Sequence, residues 1–458
     1  MLRPACRNPR ADRGGRRPRG PRAATLSVIG LMVSVAATAS AGALGAGTSG
    51  PTFTAPRKVM ASTPNVPSAV SGVGEALTLR PGSGPGPALQ LASAHGRIRT
   101  IQLATMVAGL ADPSVAIGNS GVLAATWDTS GAAGSTPDVL EVAVGTFAAP
   151  PTSATVLSPA GATVSGEQAF VTAAGTAIVI WTETDADGLA TVRAAVVPPG
   201  GTPTPITIDA DDSYVGAGLG ADGGLVVIEQ DNGAFIERTI AANGSVGPST
   251  EFTAPVALSE AASGSLDVLV DAAGDQLYSW RPPGSARDLY AVWRSAAGVF
   301  GPIQALGGTA DVGGDGPVVA LNTSGHAVAV LTPRRTGPLT VRFASRLSHF
   351  GPAERIGAAG RYADMPVVSI DRADRTLLAW VDSPASSRGT TKSRALVAEA
   401  RGTRFTTPKA LPVEKGLGQM YLGDAPLTTA DPGGTPELVT YAASKGSSPV
   451  GQIAFLTG

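Results

Sequence analysis

The chain alternates between short apolar runs and turns of small residues. Its clearest unit is DPSVAIGNSGVLAATWD at 112–128: an apolar run, a turn carrying Gly121, and a second apolar run ending at Trp127. Runs this short, rich in Val, Ile, Leu and Ala and bounded by Gly, Asn, Asp or Ser, predict two strands joined by a tight hairpin. The unit returns about every 50 residues, the spacing of a repeat architecture. Further copies stand at 167–183, 213–230, 264–281, 315–332, 364–382 and 423–442, with a weaker one, a residue shorter in its turn, at 66–80. Nothing between the copies shows apolar residues at helical spacing.

Each copy is followed by a third apolar run, as at 189–197 and 338–346. A fourth segment then carries Phe with Pro two or three positions later, at 250–258, 298–306, 348–356 and 403–411. Proline lacks an N–H and belongs at a sheet edge, so these segments read as outer strands. Four strands per unit predict the blade of a β-propeller. The segment TFTAPRKVM at 52–60 has the fourth-strand signature but no strands before it. The last unit has its hairpin and a third strand at 449–458 and no fourth. The expected fold is therefore all-β: a β-propeller of four-stranded antiparallel blades, eight in number, closed by the N-terminal strand on the C-terminal blade. Closure of this kind removes two open edges. The count is seven if 62–104 is an irregular insertion.

The order of apolar strand, Asp/Asn-x-x-Gly turn, apolar strand and Trp resembles secreted bacterial propellers grouped near the sialidase-like (BNR-repeat) superfamily. The resemblance covers most of 52–458 and lies in the repeats. The intact Asp-box of that group is absent; Val270-Asp271-Ala272-Ala273-Gly274 and Ile370-Asp371-Arg372-Ala373-Asp374 are loose counterparts.

The N-terminus changes the compartment. Residues 1–22 hold eight arginines and one acid, an apolar stretch runs from Leu26 to Ala37, and Ala39-Ser40-Ala41 follows. This is the pattern of a secretory signal cleaved near Ala41, with an apolar stretch short for a membrane span. Residues 42–51 then read as a flexible leader and 52–458 as a single propeller domain, secreted and extracellular. Cys6 leaves with the signal, which removes disulfides, thiol nucleophiles and Cys metal sites from consideration. The remaining chain has 26 basic and 34 acidic residues. That balance argues against nucleic-acid binding. A monomer without a membrane anchor is expected.

Trp127, Trp181, Trp280 and Trp380 occupy one repeat position, as does Tyr441. They offer either sugar-stacking platforms or packing between blades, and their regular recurrence favours packing. Glu183-Thr184-Asp185-Ala186-Asp187-Gly188 opens like a calcium loop, but Ala194 stands where a bidentate acid is required, so it reads as a turn. His95, His326 and His349 have no partner at ligand spacing. No nucleophile elbow, zinc-binding His motif, phosphate loop or dinucleotide fingerprint is present. The sequence therefore nominates no catalytic, cofactor-binding or metal-binding residue, and no cofactor.

Charge is unevenly spread. Residues 42–260 hold 7 basic and 18 acidic residues, whereas 261–458 hold 19 basic and 16 acidic. The loops from second to third strands share one rim of a propeller. Early ones carry Asp128, Glu183, Asp185, Asp187 and Asp231; later ones carry Arg281, Arg287, Arg334, Arg335 and Arg388. These arginines are the candidate anion-binding rim, since guanidinium groups suit carboxylate, sulfate or phosphate. The expected function is noncatalytic binding of a protein partner or acidic glycan at that rim. The alternative is an extracellular glycoside hydrolase or lyase of sialidase-like type, which needs facing carboxylates and an arginine cluster.

Overall fold

A computed structural model describes residues 52–457, apart from 54–56, 59–67, 72–74, 82–85, 94–97, 106–109, 130–138, 211–212, 221, 232–233, 254–265, 282–287, 309–317, 334–335, 386–392, 412–419, 422–437 and 446–447. Strands, turns and bends make up the described residues, and no helix occurs among them. The strands form antiparallel sheets that follow one another along the chain. Sheet 1 spans 68–102, sheet 2 111–156, sheet 3 163–210, sheet 4 213–252, sheet 5 267–308, sheet 6 318–356 and sheet 7 361–410. In each of them the first strand pairs with the second, the second with the third, and the third with the fourth. Residues 62–104, the stretch that left the count open, supply sheet 1 through Ser68–Val70, Ala76–Pro81, Pro87–Ala92 and Ile98–Gln102.

The second strands explain why the apolar runs are unbroken. Val122–Asp128, Gln276–Trp280 and Ala327–Leu331 are buried at every position. A strand covered on both faces has no solvent side on which to place alternate polar residues. Fourth strands are the opposite case: Thr204–Ala210 is largely exposed or half-buried.

Sheets 1 to 7 stack face to face in order, and each of these junctions has its own apolar cluster. Leu79, Leu89 and Trp127 join sheets 1 and 2; Val142, Val171 and Trp181 join 2 and 3; Ile178, Val192 and Val227 join 3 and 4. Phe252 and Trp280 join 4 and 5, Leu277 and Leu331 join 5 and 6, and Val341 and Trp380 join 6 and 7. Trp127, Trp181, Trp280 and Trp380 are at most 1% exposed. They pack between sheets, as their recurrence predicts, and are closed to a sugar.

The hairpin turns share one hydrogen-bond scheme. In sheet 6 the Asn322 N–H donates to the His326 carbonyl and the Gly325 N–H to the Asn322 carbonyl, both at 3.0 Å. Asn322 Oδ1 accepts from the N–H groups of Ser324 and His326. Asp271 and Asp371 build the same turn through Ala273 and Asp275, and through Ala373 and Arg375. The loose Asp-box counterparts are thus turn-forming aspartates. Gly325 has φ 82°, a left-handed conformation glycine adopts freely. In sheet 7 that place is held by Asp374 at φ 60°, whose carboxylate accepts from Asn322 Nδ2 at 2.9 Å and meets His326 Nδ1. His326 is accordingly a contact between neighbouring turns.

Sheet 8 is assembled from both ends of the described chain. Met420–Tyr421, Leu438–Lys445 and Ser448–Thr457 pair in order, and Ser448–Thr457 also pairs with Thr52–Phe53 and Arg57–Lys58. The fourth segment of sheet 7 is broken in the same way, into Arg404–Phe405 and Lys409–Ala410, both on Arg394–Arg401. Phe405 faces Ala400 and Ala410 faces Leu396, while Phe53 faces Leu456 and Lys58 faces Gln452. The offsets are identical, so Thr52–Phe53 and Arg57–Lys58 pair with Ser448–Thr457 as Arg404–Phe405 and Lys409–Ala410 pair with Arg394–Arg401.

Candidate functional site

The first strands of several sheets are bulged near their start. In sheet 2 pairing passes from Ala111↔Asp128 to Ser114↔Thr126, leaving Asp112 and Pro113 opposite the single residue Trp127. In sheet 3 it passes from Ser165↔Thr182 to Gln168↔Ile180, leaving Gly166 and Glu167 opposite Trp181. Sheet 7 repeats this with Met365 and Pro366 opposite Trp380. A bulge leaves an extra residue without ladder partners and re-aims its side chain. Proline loses nothing there, having no N–H. Glu167 stands where Pro113 and Pro366 stand.

These two bulges and the end of a second strand converge. Carboxylate oxygens of Asp112, Asp128 and Glu167 all lie within 4.8 Å of one another. Asp128 is 2% exposed and Glu167 6%, whereas Asp112 is exposed. The surroundings hold them in place. Ser114 Oγ accepts from the Ala169 N–H across the junction of sheets 2 and 3, at 3.1 Å. The chain after Asp128 is tied down by Thr129, which donates its N–H to the Val139 carbonyl and accepts the Val139 N–H on Oγ1.

Both carboxylate oxygens of Glu167 are buried without a hydrogen-bond partner. Burial pushes its carboxyl up to about 7; its own main-chain amide opposes this, and the charges of Asp128 and Asp112 add to it. Both of those neighbouring charges are negative. The group therefore combines three oxygen donors, a high density of like charge and one open side at Asp112. It can hold a hard cation or retain a proton near neutrality.

The sequence did not single out this trio. It assigned no metal ligands and placed Asp128 and Glu183 on a solvated rim. The structure buries both: Asp128 in the trio, and Glu183, 8% exposed, beside Arg193 at 3.4 Å. The available signal was the repeat itself, because a glutamate takes the place of a recurrent proline. Asp185, in the loop that opens like a calcium site, uses Oδ1 to accept the N–H groups of Asp187 and Leu189, as a turn residue does.

Of the anion-binding candidates, Arg281 is described. It is half-buried at the end of a second strand; burial lowers its guanidinium from the ordinary range and the charge of Asp267 opposes that. Arg287, Arg334, Arg335 and Arg388 lie outside the described residues. Other arginines serve the fold. Arg238 joins Glu229 and Asp209, Arg294 joins Glu237, Arg346 joins Asp271 and Asp275, and Arg361 and Arg394 share Asp382.

Four-stranded antiparallel sheets stacked in chain order, with apolar clusters at each described junction, are the blades of a β-propeller-type protein. No protein-family model matches the sequence, and no curated protein matches it; the resemblance to the sialidase-like superfamily thus has no sequence-family support. Among solved structures, the chain is similar to the BP39L lectin from Burkholderia pseudomallei at 14% identity, covering 77% of this chain and 100% of that one, with TM-score 0.48. It is similar to the β-propeller domain of the Trilobed protease from Pyrococcus furiosus at 10% identity, covering 78% and 99%, with TM-score 0.44. It is similar also to the polysaccharide lyase Uly1 at 10% identity, covering 72% and 88%, with TM-score 0.42.

Proposed function

We propose that this chain is an exported, monomeric, eight-bladed propeller, clasped by its N-terminal strand, that works by binding rather than catalysis. Its ligand is an acidic glycan or an acidic surface of a protein partner, met by Arg281, Arg287, Arg334, Arg335 and Arg388 on one loop rim. The observation that carries the noncatalytic reading is the charge around the acidic trio. The side-chain charges acting on Glu167 are those of two aspartates, Asp128 and Asp112. A sialidase-like site needs a guanidinium cluster beside its acids to hold the substrate carboxylate.

The eight-bladed, clasped arrangement is supported by the sheet formed at 68–102 and by the register that Thr52–Phe53 and Arg57–Lys58 share with Arg404–Phe405 and Lys409–Ala410. The rim reading is supported by the charge division between 42–260 and 261–458. It is tested by binding of the purified chain to arrays of acidic and neutral glycans at two salt concentrations. The Arg334→Ala/Arg335→Ala double variant is expected to lose salt-dependent binding to acidic glycans; undiminished binding overturns the rim.

One observation favours the hydrolase or lyase alternative: a carboxyl brought to about 7 has the proton affinity of a general acid. Turnover of acidic oligosaccharides that vanishes in Glu167→Gln would establish it and displace the binding reading.

A further inference from the structure

Glu167 carries a carboxylate that the fold has buried and that no other residue supplies with a donor. The residue is 6% exposed, neither Oε1 nor Oε2 has a hydrogen-bond partner on another residue, and only its own main-chain amide acts against the burial. An ionised carboxylate left this way is costly, so the group must keep a proton or meet a cation. The side chains whose charges act on it are Asp128 and Asp112, and their oxygens lie within 4.8 Å of its own. We infer that Asp112, Asp128 and Glu167 bind a calcium ion, which fastens sheet 2 to sheet 3 at the bulged starts of their first strands.

The donor set selects the ion. Three carboxylates offer oxygen only, which suits hard cations and excludes those that want thiolate or imidazole. Calcium holds oxygens at about 2.3–2.6 Å, so opposite ligands stand roughly 5 Å apart. A set within 4.8 Å fits one such ion. Calcium also accepts irregular shells of six to eight oxygens, whereas magnesium demands a near-ideal octahedron at about 2.0–2.1 Å. Asp112 is exposed, so the remaining positions open to water.

The fold explains why the ion would sit here and not at every junction. Asp112 and Asp128 belong to sheet 2, and Glu167 to sheet 3. In sheet 7 the place of Glu167 is taken by Pro366, which cannot ligate through a side chain. The ion would supplement the Ser114–Ala169 hydrogen bond across the same junction. This site is independent of the arginine rim and of any ligand held there.

The test uses the full chain, stripped with EDTA, exchanged into chelator-free buffer and titrated with calcium chloride. Calcium is expected to raise the melting temperature, and terbium chloride to luminesce on tryptophan excitation, because Trp127 and Trp181 face the two bulges. Glu167→Gln and Asp128→Asn are expected to weaken calcium binding at least tenfold. Asp112→Asn, at an exposed position, provides a variant that folds normally and is expected to weaken binding several-fold. Asp185→Asn, in the calcium-like loop, is expected to leave binding unchanged. A wild-type melting temperature indifferent to calcium, undiminished affinity in Glu167→Gln and Asp112→Asn, or equal stabilisation by magnesium chloride overturns the assignment.

Discussion

Phe53 is the backbone partner of Leu456, so the two ends of the described chain lie in one sheet. The strand Ser448–Thr457 is thereby flanked on both sides, by Leu438–Lys445 and by Thr52–Phe53 and Arg57–Lys58. Without that segment it becomes an unprotected edge, open to pairing with other molecules. Deletion of 52–58 is expected to lower the melting temperature by several degrees and to produce concentration-dependent oligomers in light scattering. A synthetic peptide of residues 50–60 added in trans should reverse that association.

The carboxyl of Glu167 gives the metal-free protein a pH dependence of definite sign. Its pKa is about 7 in the folded state against an ordinary 4.5, so the folded chain binds the proton more tightly than the unfolded one. The stability associated with that proton is complete below about pH 4.5 and is lost as pH rises through about 7. The burial and the two aspartates make the difference on the order of 3 kcal/mol. In EDTA, melting temperature is expected to fall across this window in the wild type. In Glu167→Gln that fall should be much reduced, and the variant should be the more stable of the two at pH 8.

Arg238 neutralises Glu229, whose side chain is wholly buried, at 3.0 Å. Removing one partner of such a pair leaves a buried charge uncompensated and costs about 3–5 kcal/mol. Arg238→Ala is expected to show a loss of that size in denaturant unfolding. The double change Arg238→Met/Glu229→Leu should recover most of it, because it leaves no buried charge at Glu229, while Asp209, the second partner of Arg238, is 29% exposed and stays solvated.

Gly325 and Gly161 both have left-handed φ, of 82° and 88°, yet they should respond differently to alanine. A Cβ on Gly161 meets nothing within 4 Å, so Gly161→Ala is expected to cost about 1–2 kcal/mol for its conformation alone. A Cβ on Gly325 would stand 2.6 Å from Arg346 Cβ and 2.8 Å from Asp271 Oδ2. Gly325→Ala must therefore also disturb the Arg346 pairs with Asp271 and Asp275, which join sheets 5 and 6. Its destabilisation in thermal unfolding is expected to be at least twice that of Gly161→Ala.

Strand, turn and sheet composition were legible along the chain because they depend on local chemistry. Apolar runs such as 122–128 mark strands covered on both faces, and glycine or a turn-forming Asp or Asn marks each hairpin. Even the association of the first and last strands could be read, since TFTAPRKVM carries the same Phe and Pro as TRFTTPKAL. The tryptophans were legible as packing residues for the same reason: recurrence at one repeat position reflects a recurrent environment.

The acidic trio was not legible in this way. Asp112 and Asp128 stand at the two ends of the 112–128 hairpin of sheet 2, but Glu167 belongs to sheet 3, and no local motif joins it to them. Their meeting requires the stacking of sheet 3 on sheet 2 and a bulge in each first strand. The sequence by itself determined the repeat and the hand-over of strands, because propensity and burial act within a few residues. Only the tertiary structure decided which charges share a buried space, because electrostatics acts through distance in folded space, whatever the separation along the chain.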